Sequence, residues 1–306
     1  MIRYLAHLVA FLVMPFVLIG IMNRTKSLWS GRKGPPLLQS AWDVLRLFRK
    51  SPVYSRVTTP IFQLAPLVGL VTAAAAALVV PIFGSASLLG FRLDFVWMAY
   101  LWGLGRVALV LAAFDTGSSF GGMGAAREAT FSTLVEPTLF LILGTLTLVT
   151  GKQRLHEVLA VPLTDGSAVA VWTLSVVALL IVLQVEASRM PVDDPTTHLE
   201  LTMIHEVMVL DHSGPDLGLI QLGAGLRFFT GSAMVATLLN PGRGTSGWLT
   251  AAVNLALCVL IAVGVGTLES LIARFKLRAV PQYIAVAMAA ATVALLATAW
   301  RAVEAR

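Results

Sequence analysis

Residues that could do chemistry are concentrated in one stretch, VEASRMPVDDPTTHLELTMIHEVMVLDHSG, residues 185–214. Its thirty positions hold six carboxylates, three histidines and one arginine, and they follow about twenty nearly uncharged residues. Such a set can exchange protons, hold a metal ion or dock a partner. The candidates are Arg189, Asp193, Asp194, His198, Glu200, His205, Glu206 and Asp211. A plainer alternative is a solvated loop with an ion pair between Arg189 and Asp193, four residues apart.

Local signals within residues 193–211 predict a short helix. Pro195 suits a helix start, and Thr197 followed by Glu200 three positions later fits a capping box. The rest of the helix is so apolar that we expect it to pack against protein or the membrane interface. On it, His198 and His205 would lie about 10.5 Å apart along the axis. One zinc ion needs each nitrogen within about 2.1 Å, so we predict no metal site in this chain alone.

Five charged residues lie inside or at the end of long apolar stretches: Arg106, Glu136, Glu186, Arg227 and Glu269. A charge at the centre of a bilayer costs about 2.5–3.5 kcal/mol on the most lenient scale, so such residues usually face the bundle interior. One interpretation is a proton or ion pathway, because burial disfavours the charged carboxylate and lets it exchange protons. The other is a set of buried ion pairs, with Arg106 or Arg227 against the glutamates, that only fixes helix packing. For Glu136 the pathway is favoured, whereas for Glu186 and Glu269 both interpretations stay open.

The composition predicts an all-α polytopic membrane protein. Hydrophobic residues make up 57% of the 306 residues and charged residues only 12%, where globular domains have about 25% charged residues. A bilayer core of about 30 Å needs roughly 20 apolar helical residues. We expect a single integral membrane domain over residues 1–306, with eight spans near 4–22, 61–82, 95–114, 131–150, 166–186, 217–239, 248–269 and 281–300.

The net charge of +6 is explained by orientation in the membrane and not by nucleic acid. Thirteen of the 22 lysines and arginines fall in the connections after odd-numbered spans, and seven fall on the other side. The positive-inside rule therefore predicts that both termini lie outside. The cytoplasmic loops would be 23–60, 115–130, 187–216 and 270–280.

Two other patterns limit the possible cofactors. Cys258 is the only cysteine, so this chain alone cannot hold a thiolate-bound iron–sulfur cluster, and any redox metal must sit on a partner. The glycine run in DTGSSFGGMGAAREATF, residues 115–131, lacks the lysine of a phosphate-binding loop and follows a membrane span. We expect it to let the backbone turn at the membrane interface.

Four segments resemble a known family: GRKGPPLLQSAWDVLRLFRKSP (31–52), DTGSSFGGMGAAREATFSTLVEP (115–137), EASRMPVDDPTTHLEL (186–201) and ESLIARFKLRAVPQ (269–282). In the sequences and the spacing of these segments the chain resembles the complex I subunit 1 family. Within it, the chain is similar to the group of formate hydrogenlyase subunit 4 and hydrogenase-4 component C. The resemblance covers nearly the whole chain.

The resemblance implies a non-catalytic membrane subunit of the cell inner membrane, placed where the membrane arm meets a cytoplasmic arm. The implied partners are an iron–sulfur small subunit and a hydrogenase-like large subunit on the cytoplasmic face, together with antiporter-like membrane subunits. Iron–sulfur clusters, and nickel–iron where present, would lie on those partners. Glu136 and Glu186 match the relay glutamates of the family, and Arg189 with Asp193 matches its loop between the fifth and sixth spans.

The sequence also departs from the family pattern, which bears on quinone binding. Thr196 and His198 stand where two loop glutamates are common, and only Glu200 of the three remains. This favours a hydrogenase-type, proton- or sodium-coupled complex over the quinone-binding subunit of respiratory NADH dehydrogenase. A stand-alone secondary transporter is a third hypothesis, which the lack of a strong internal repeat disfavours.

Overall fold

The computed structural model describes residues 2–84, 87–193, 203–241 and 247–304. Within these ranges it consists of helices and their connections, as the composition predicts. The α-helices in chain order are α1 (Ile2–Trp29), α2 (Gln39–Phe48), α3 (Pro60–Val79), α4 (Asp94–Asp115), α5 (Ser119–Thr150), α6 (Leu155–Val158), α7 (Gly166–Glu186), α8 (His205–Val209), α9 (Gly214–Leu239), α10 (Gly247–Leu271) and α11 (Val280–Glu304). A 3₁₀ turn, Leu277–Ala279, leads into α11.

Eight of the described helices are long and apolar enough to cross a membrane, namely α1, α3, α4, α5, α7, α9, α10 and α11. Each coincides with one of the eight predicted apolar stretches, so the all-α fold and the eight spans are confirmed. The helix α9 is the central one: 83% of its most apolar window is buried inside the chain. It packs against α1, α2, α3, α7 and α10.

The connections that follow the odd-numbered spans lie together at one end of the bundle, which we call the basic face. They comprise residues 30–59, 116–118, 187–193 with 203–213, and 272–276. Three backbone amides join them: Val53 donates to the Ser213 hydroxyl (2.9 Å), Thr59 to the Asp115 carboxylate (2.7 Å) and Phe275 to the Pro191 carbonyl (3.0 Å). The opposite face carries residues 80–84 with 87–93, 151–165 and 240–241.

The prediction of a loop over 115–130 is wrong, because α5 begins at Ser119. Gly117 makes the turn with a φ of +65°, in the left-handed region that favours glycine. The Ser118 hydroxyl then accepts a hydrogen bond from the Gly121 amide and caps the helix. The glycine run therefore forms the first turns of a long helix, and only its start is a turn.

The short helix α8 covers only His205–Val209, less than the sequence predicts. The predicted capping box at Thr197 and Glu200 lies outside the described residues. At the helix start the Asp193 carboxylate accepts hydrogen bonds from the amides of Ile204 (3.3 Å) and His205 (2.8 Å). A carboxylate at a helix N-terminus is favourable because it meets the positive end of the dipole.

As predicted from its apolar surface, α8 packs against protein. Val207 and Met208 are buried against α5 at Gly124. A Cβ atom added at Gly124 would lie 2.9 Å from the Ile204 carbonyl oxygen and would overlap the Val207 side chain. The glycine therefore allows α8 to approach the backbone of α5.

We expect Gly124→Ala to lower the thermal stability of the purified protein, because the methyl group must displace α8. Overpacking of this kind costs about 1–3 kcal/mol. The control is Gly144→Ala in the same helix, where an added Cβ meets nothing within 4 Å. That variant should be unchanged or stabilised by up to about 1 kcal/mol. Equal melting temperatures for the two variants would contradict the close contact of α8 with α5.

Candidate functional site: a buried arginine with three carboxylates

Arg106 of α4 lies among three glutamates, and it is only 6% exposed. Its Nη1 atom donates to Glu136 Oε1 at 2.8 Å, and its Nε atom lies 3.2 Å from Glu128 Oε1. Its Nη2 atom donates to Glu186 Oε1 in α7. We call these four residues the Arg106 cluster. The structure thus brings together three of the five predicted buried charges, on three neighbouring helices.

Two glycines of α4 make room for these side chains. A Cβ atom added at Gly103 would lie 3.3 Å from Glu136 Oε1, and one added at Gly105 would lie 2.5 Å from Arg227 Nη2. Both contacts are tighter than ordinary van der Waals distances. Small residues at these two positions therefore allow the charged groups to pass close to the α4 backbone.

Glu128 is a member of the cluster that the sequence analysis missed, because residues 115–130 were expected to form a loop. The signal was present: Glu128 precedes Glu136 by eight residues, or about 2.2 turns of an α-helix. Extending the helical period of the fourth span towards its start would have put both acids on the same side of α5.

The Arg106 cluster carries an excess of negative charge. One guanidinium faces three carboxylates, so the three acids share a single directly bonded counter-ion. Arg227 of α9 is the next cation. It is buried (8% exposed), and its Nε atom has no hydrogen-bond partner among the described residues.

A cavity of about 200 Å³ lies beside the cluster at the basic-face end of the bundle. Its polar end is formed by Glu186, Arg189, His205, Glu206 and Arg227. Its other walls are mostly apolar and come from α1, α2, α3, α4 and α9, including Pro15, Phe16, Val44, Pro66 and Leu217. The cavity reaches the surface of the chain, because the exposed Gln221 also lines it. Glu186 is therefore shared by the cluster and the cavity.

Burial disfavours the charged forms of His205 and Arg189, two basic residues that line this cavity. Burial lowers the pKa of His205 to about 4, and the nearby Arg227, Arg106 and Arg189 act in the same direction. Burial also lowers the pKa of Arg189, which the acids Glu269 and Glu206 partly oppose. His205 is therefore a neutral imidazole at neutral pH.

Other predicted residues lie outside the Arg106 cluster. The Asp193 carboxylate forms a salt bridge with Arg274 at 3.1 Å, and not the pair with Arg189 that the solvated-loop alternative predicts. The Arg189 guanidinium lies 5.9 Å from the centre of the Phe228 ring. The reason is geometric: the chain turns after α7, so that Asp193 points to the start of α8 and to the connection before α11.

Glu269 of α10 has a fully buried side chain, but it pairs with Lys26 of α1 at 2.9 Å. It joins two helices away from the Arg106 cluster.

Asp211 is exposed between α8 and α9. The candidates Asp194, His198 and Glu200 lie outside the described residues. Within the described ranges, no three His, Cys, Asp or Glu side chains are grouped to hold a metal ion.

His212 is a buried histidine that the sequence analysis did not single out. Its ring stacks on Phe62 of α3 with centroids 3.9 Å apart. Neither ring nitrogen has a hydrogen-bond partner among the described residues. Burial lowers the pKa of His212 to about 4.

Comparison with known proteins assigns the chain to a family. Residues 2–299 match the family described as NADH dehydrogenase. The chain belongs to the NADH dehydrogenase family. It is thus a multi-pass integral membrane protein, a membrane subunit of the type found in complex I-like and hydrogenase-type complexes. The resemblance inferred from the four sequence segments is confirmed.

Two relatives from Escherichia coli (strain K12) are each 29% identical to this chain. One, called hydrogenase-4 component C, matches over 240 residues, or 78% of this chain and 75% of its own length. The other, called formate hydrogenlyase subunit 4, matches over 289 residues, or 90% of this chain and 91% of its own. An NADH-quinone oxidoreductase subunit of Methylococcus capsulatus (strain ATCC 33009 / NCIMB 11132 / Bath) is 25% identical over 239 residues, or 76% of this chain and 73% of its own.

The fold also occurs in a solved structure. One chain of the membrane-bound sulfane sulfur reductase, described as an archaeal respiratory membrane complex, superimposes with a TM-score of 0.78. The match covers 97% of this chain and 100% of the other at 18% identity. It establishes a shared fold across the whole chain.

The Arg106 guanidinium should be needed for the chain to fold stably. Replacing it by leucine leaves three carboxylates without their counter-ion, a change that costs about 3–5 kcal/mol when buried. We therefore expect Arg106→Leu to reduce sharply the amount of monodisperse protein extracted in mild detergent. Adding Glu128→Gln and Glu136→Gln to that variant should restore part of the yield, since it removes the unpaired charge. No recovery in the triple variant would argue against charge as the cause.

His212 should make stability depend on pH. The unfolded imidazole takes a proton near 6.5 and the folded one only at about 4. The folded state is therefore favoured fully above pH 6.5 and loses stability as the pH falls from 6.5 towards 4. At pH 5 the loss should be about 2 kcal/mol.

The melting temperature of His212→Phe should fall less between pH 7.5 and 5 than that of the unchanged chain. His156→Phe, on the opposite face, is the control, and identical profiles for all three would contradict the assignment.

Proposed function

We propose that this chain is the membrane-anchoring, proton-coupling subunit of a hydrogenase-type redox complex in the cell inner membrane. Residues 1–306 form a single membrane domain with both termini outside, so that the basic face is cytoplasmic. There it docks an iron–sulfur small subunit and a hydrogenase-like large subunit. The similarity to hydrogenase-4 component C and formate hydrogenlyase subunit 4 supports this choice within the family. The 13-to-7 bias of lysines and arginines towards the predicted connections after odd-numbered spans supports the orientation.

The observation that carries the coupling role is the excess of acid around Arg106. Three carboxylates share one guanidinium, and placing all three as anions in a medium of low dielectric is costly. The geometry therefore gathers three groups that can carry a proton around one fixed positive charge. A cluster of this kind, in contact with its surroundings, can serve as one station of a relay.

The cluster has access on two sides. Glu186 lines the cavity of about 200 Å³, and the charged groups at its polar end offer protons a path from the connections of the basic face. The Glu136 side chain is 44% exposed on the lateral surface of the bundle, although it lies in the membrane span α5. A carboxylate facing lipid would be expensive. We infer that a neighbouring, antiporter-like membrane subunit covers Glu136 and continues the relay.

Glu269 and the junction residues have different roles in this proposal. The Lys26–Glu269 pair joins α1 to α10 and stays outside the relay. Arg189, His205 and Glu206 shape the polar end of the cavity. Asp193 positions α8 under the docked arm through Arg274.

A second candidate function is that of a quinone-binding membrane subunit. The cavity favours it through its apolar walls and polar end, which suit an amphiphile with a carbonyl head. The volume argues against it, because about 200 Å³ is below the roughly 300–1,000 Å³ of ordinary small-molecule sites. A stand-alone transporter fits less well, since a solitary chain would leave Glu136 facing lipid.

The decisive test replaces one relay acid without changing its shape. We expect Glu136→Gln and Glu128→Gln to leave the complex assembled and its redox turnover largely intact. The pH gradient formed per turnover in inside-out membrane vesicles should fall by at least about tenfold, since a relay cannot pass a proton through an amide. Glu157→Gln in α6, on the opposite face, is the matched control.

An unchanged gradient per turnover in both cluster variants would make the cluster structural. If instead the variants lose redox turnover, and an added soluble quinone analogue changes that turnover, the quinone-binding role would be favoured.

A further inference from the structure

The helix α2 lies at the level of the membrane surface and not beyond it. After α1 ends at Trp29, the chain runs back along α1 until Leu37 meets Gly20, where an added Cβ would collide with the Leu37 carbonyl. The Ser40 hydroxyl then donates to the Phe16 carbonyl of α1 at 3.3 Å. Both contacts fall in the apolar part of α1, whose predicted span is 4–22. The last turns of α1 therefore extend past α2.

One side of α2 packs against the bundle and the other is free. Val44 is buried, and the Leu47 and Phe48 side chains would lie 3.4 and 3.6 Å from a Cβ atom added at Gly218 of α9. On the outer side Trp42 and Leu45 are 58% and 51% exposed. In α3, Ile61, Leu64 and Leu67 are exposed as well.

Cations border this apolar stripe. Arg46, Arg49 and Lys50 are exposed, and Asp43 is the one acid between residues 39 and 50. Asp43 is already engaged by Gln39 (2.9 Å) and lies 3.7 Å from Arg46. Residues 39–50 thus carry three positive charges and one negative charge. An apolar stripe flanked by cations is typical of a helix that lies in the headgroup region of a bilayer.

We propose that the outer side of α2 is a binding site for anionic phospholipid headgroups. Trp42 and Leu45 enter the boundary of the acyl chains, and Arg46, Arg49 and Lys50 contact the phosphates above them. The site does not depend on the proposed relay, since it uses neither the Arg106 cluster nor the cavity.

The three cations by themselves could also bind the acidic surface of a soluble partner subunit. Two observations favour lipid. The cations alternate with large exposed apolar side chains, which a water-facing docking surface seldom presents in one stripe. The depth of α2 along α1 places that stripe level with the end of the apolar span. An anionic lipid accounts for the charge, the apolar side chains and the depth of α2, whereas a soluble acidic protein accounts only for the charge.

The full chain, purified with the subunits that accompany it, is reconstituted into vesicles of phosphatidylcholine and phosphatidylglycerol. One lipid at a time carries bromine on its acyl chains, which quenches nearby tryptophan. The difference between the unchanged chain and Trp42→Phe isolates the signal of Trp42. We expect brominated phosphatidylglycerol to quench Trp42 at least about threefold more than brominated phosphatidylcholine at equal content, as juxtamembrane cations attract anionic lipid.

The test variant is Arg46→Gln with Arg49→Gln and Lys50→Gln, and the control is Arg92→Gln with Lys152→Gln and Arg154→Gln, three exposed cations of the opposite face. The test variant should lose the preference and quench equally with both lipids, and the control should keep it. Equal quenching in the unchanged chain overturns the proposal. So does a test variant that keeps the lipid preference but loses an accompanying soluble subunit, which would assign the cations to protein docking.

Discussion

A single arginine surrounded by three glutamates, inside a bundle that must cross lipid, is the constraint on which the rest of the structure depends. Burying the Arg106 guanidinium without its acids, or the acids without Arg106, would be strongly destabilising. The need to satisfy all four groups fixes the relative positions of α4, α5 and α7. It also explains the glycines of α4, because a side chain at Gly103 or Gly105 would enter the space that the charged groups occupy.

The same constraint connects the membrane interior to the basic face. Glu186 ends α7 and belongs to both the cluster and the cavity. Seven residues later, Asp193 caps α8 and binds Arg274. The segment between them carries Arg189, which lies at the cavity. One short segment of backbone therefore carries the contacts of the cluster, of the cavity and of the start of α8.

Buried polar contacts differ between the two ends of the bundle. Towards the opposite face, Asn254 donates to the Ile82 carbonyl at 2.6 Å and Thr237 to that of Pro81 at 3.0 Å, and the buried Asp94 carboxylate accepts from the Leu155 amide. Towards the basic face lie the buried ion pairs Lys26–Glu269 and the Arg106 cluster. Neutral bonds hold the helices together at little electrostatic cost, whereas each buried charge needs a counter-ion.

The sequence by itself determined the eight spans, because the length and hydropathy of each span are properties of a continuous segment that lipid selects. It also determined that Arg106, Glu136, Glu186, Arg227 and Glu269 need partners, since a buried charge is visible in any apolar run. The choice of partner was decided only by tertiary structure. Arg106 pairs with Glu128, which the sequence alone places in a loop, Glu269 pairs with Lys26 and Asp193 pairs with Arg274. The start of α5 was decided in the same way, because its glycines become helical where α8 packs against them. Pairing depends on distances between segments far apart in the chain, and no local pattern encodes those distances.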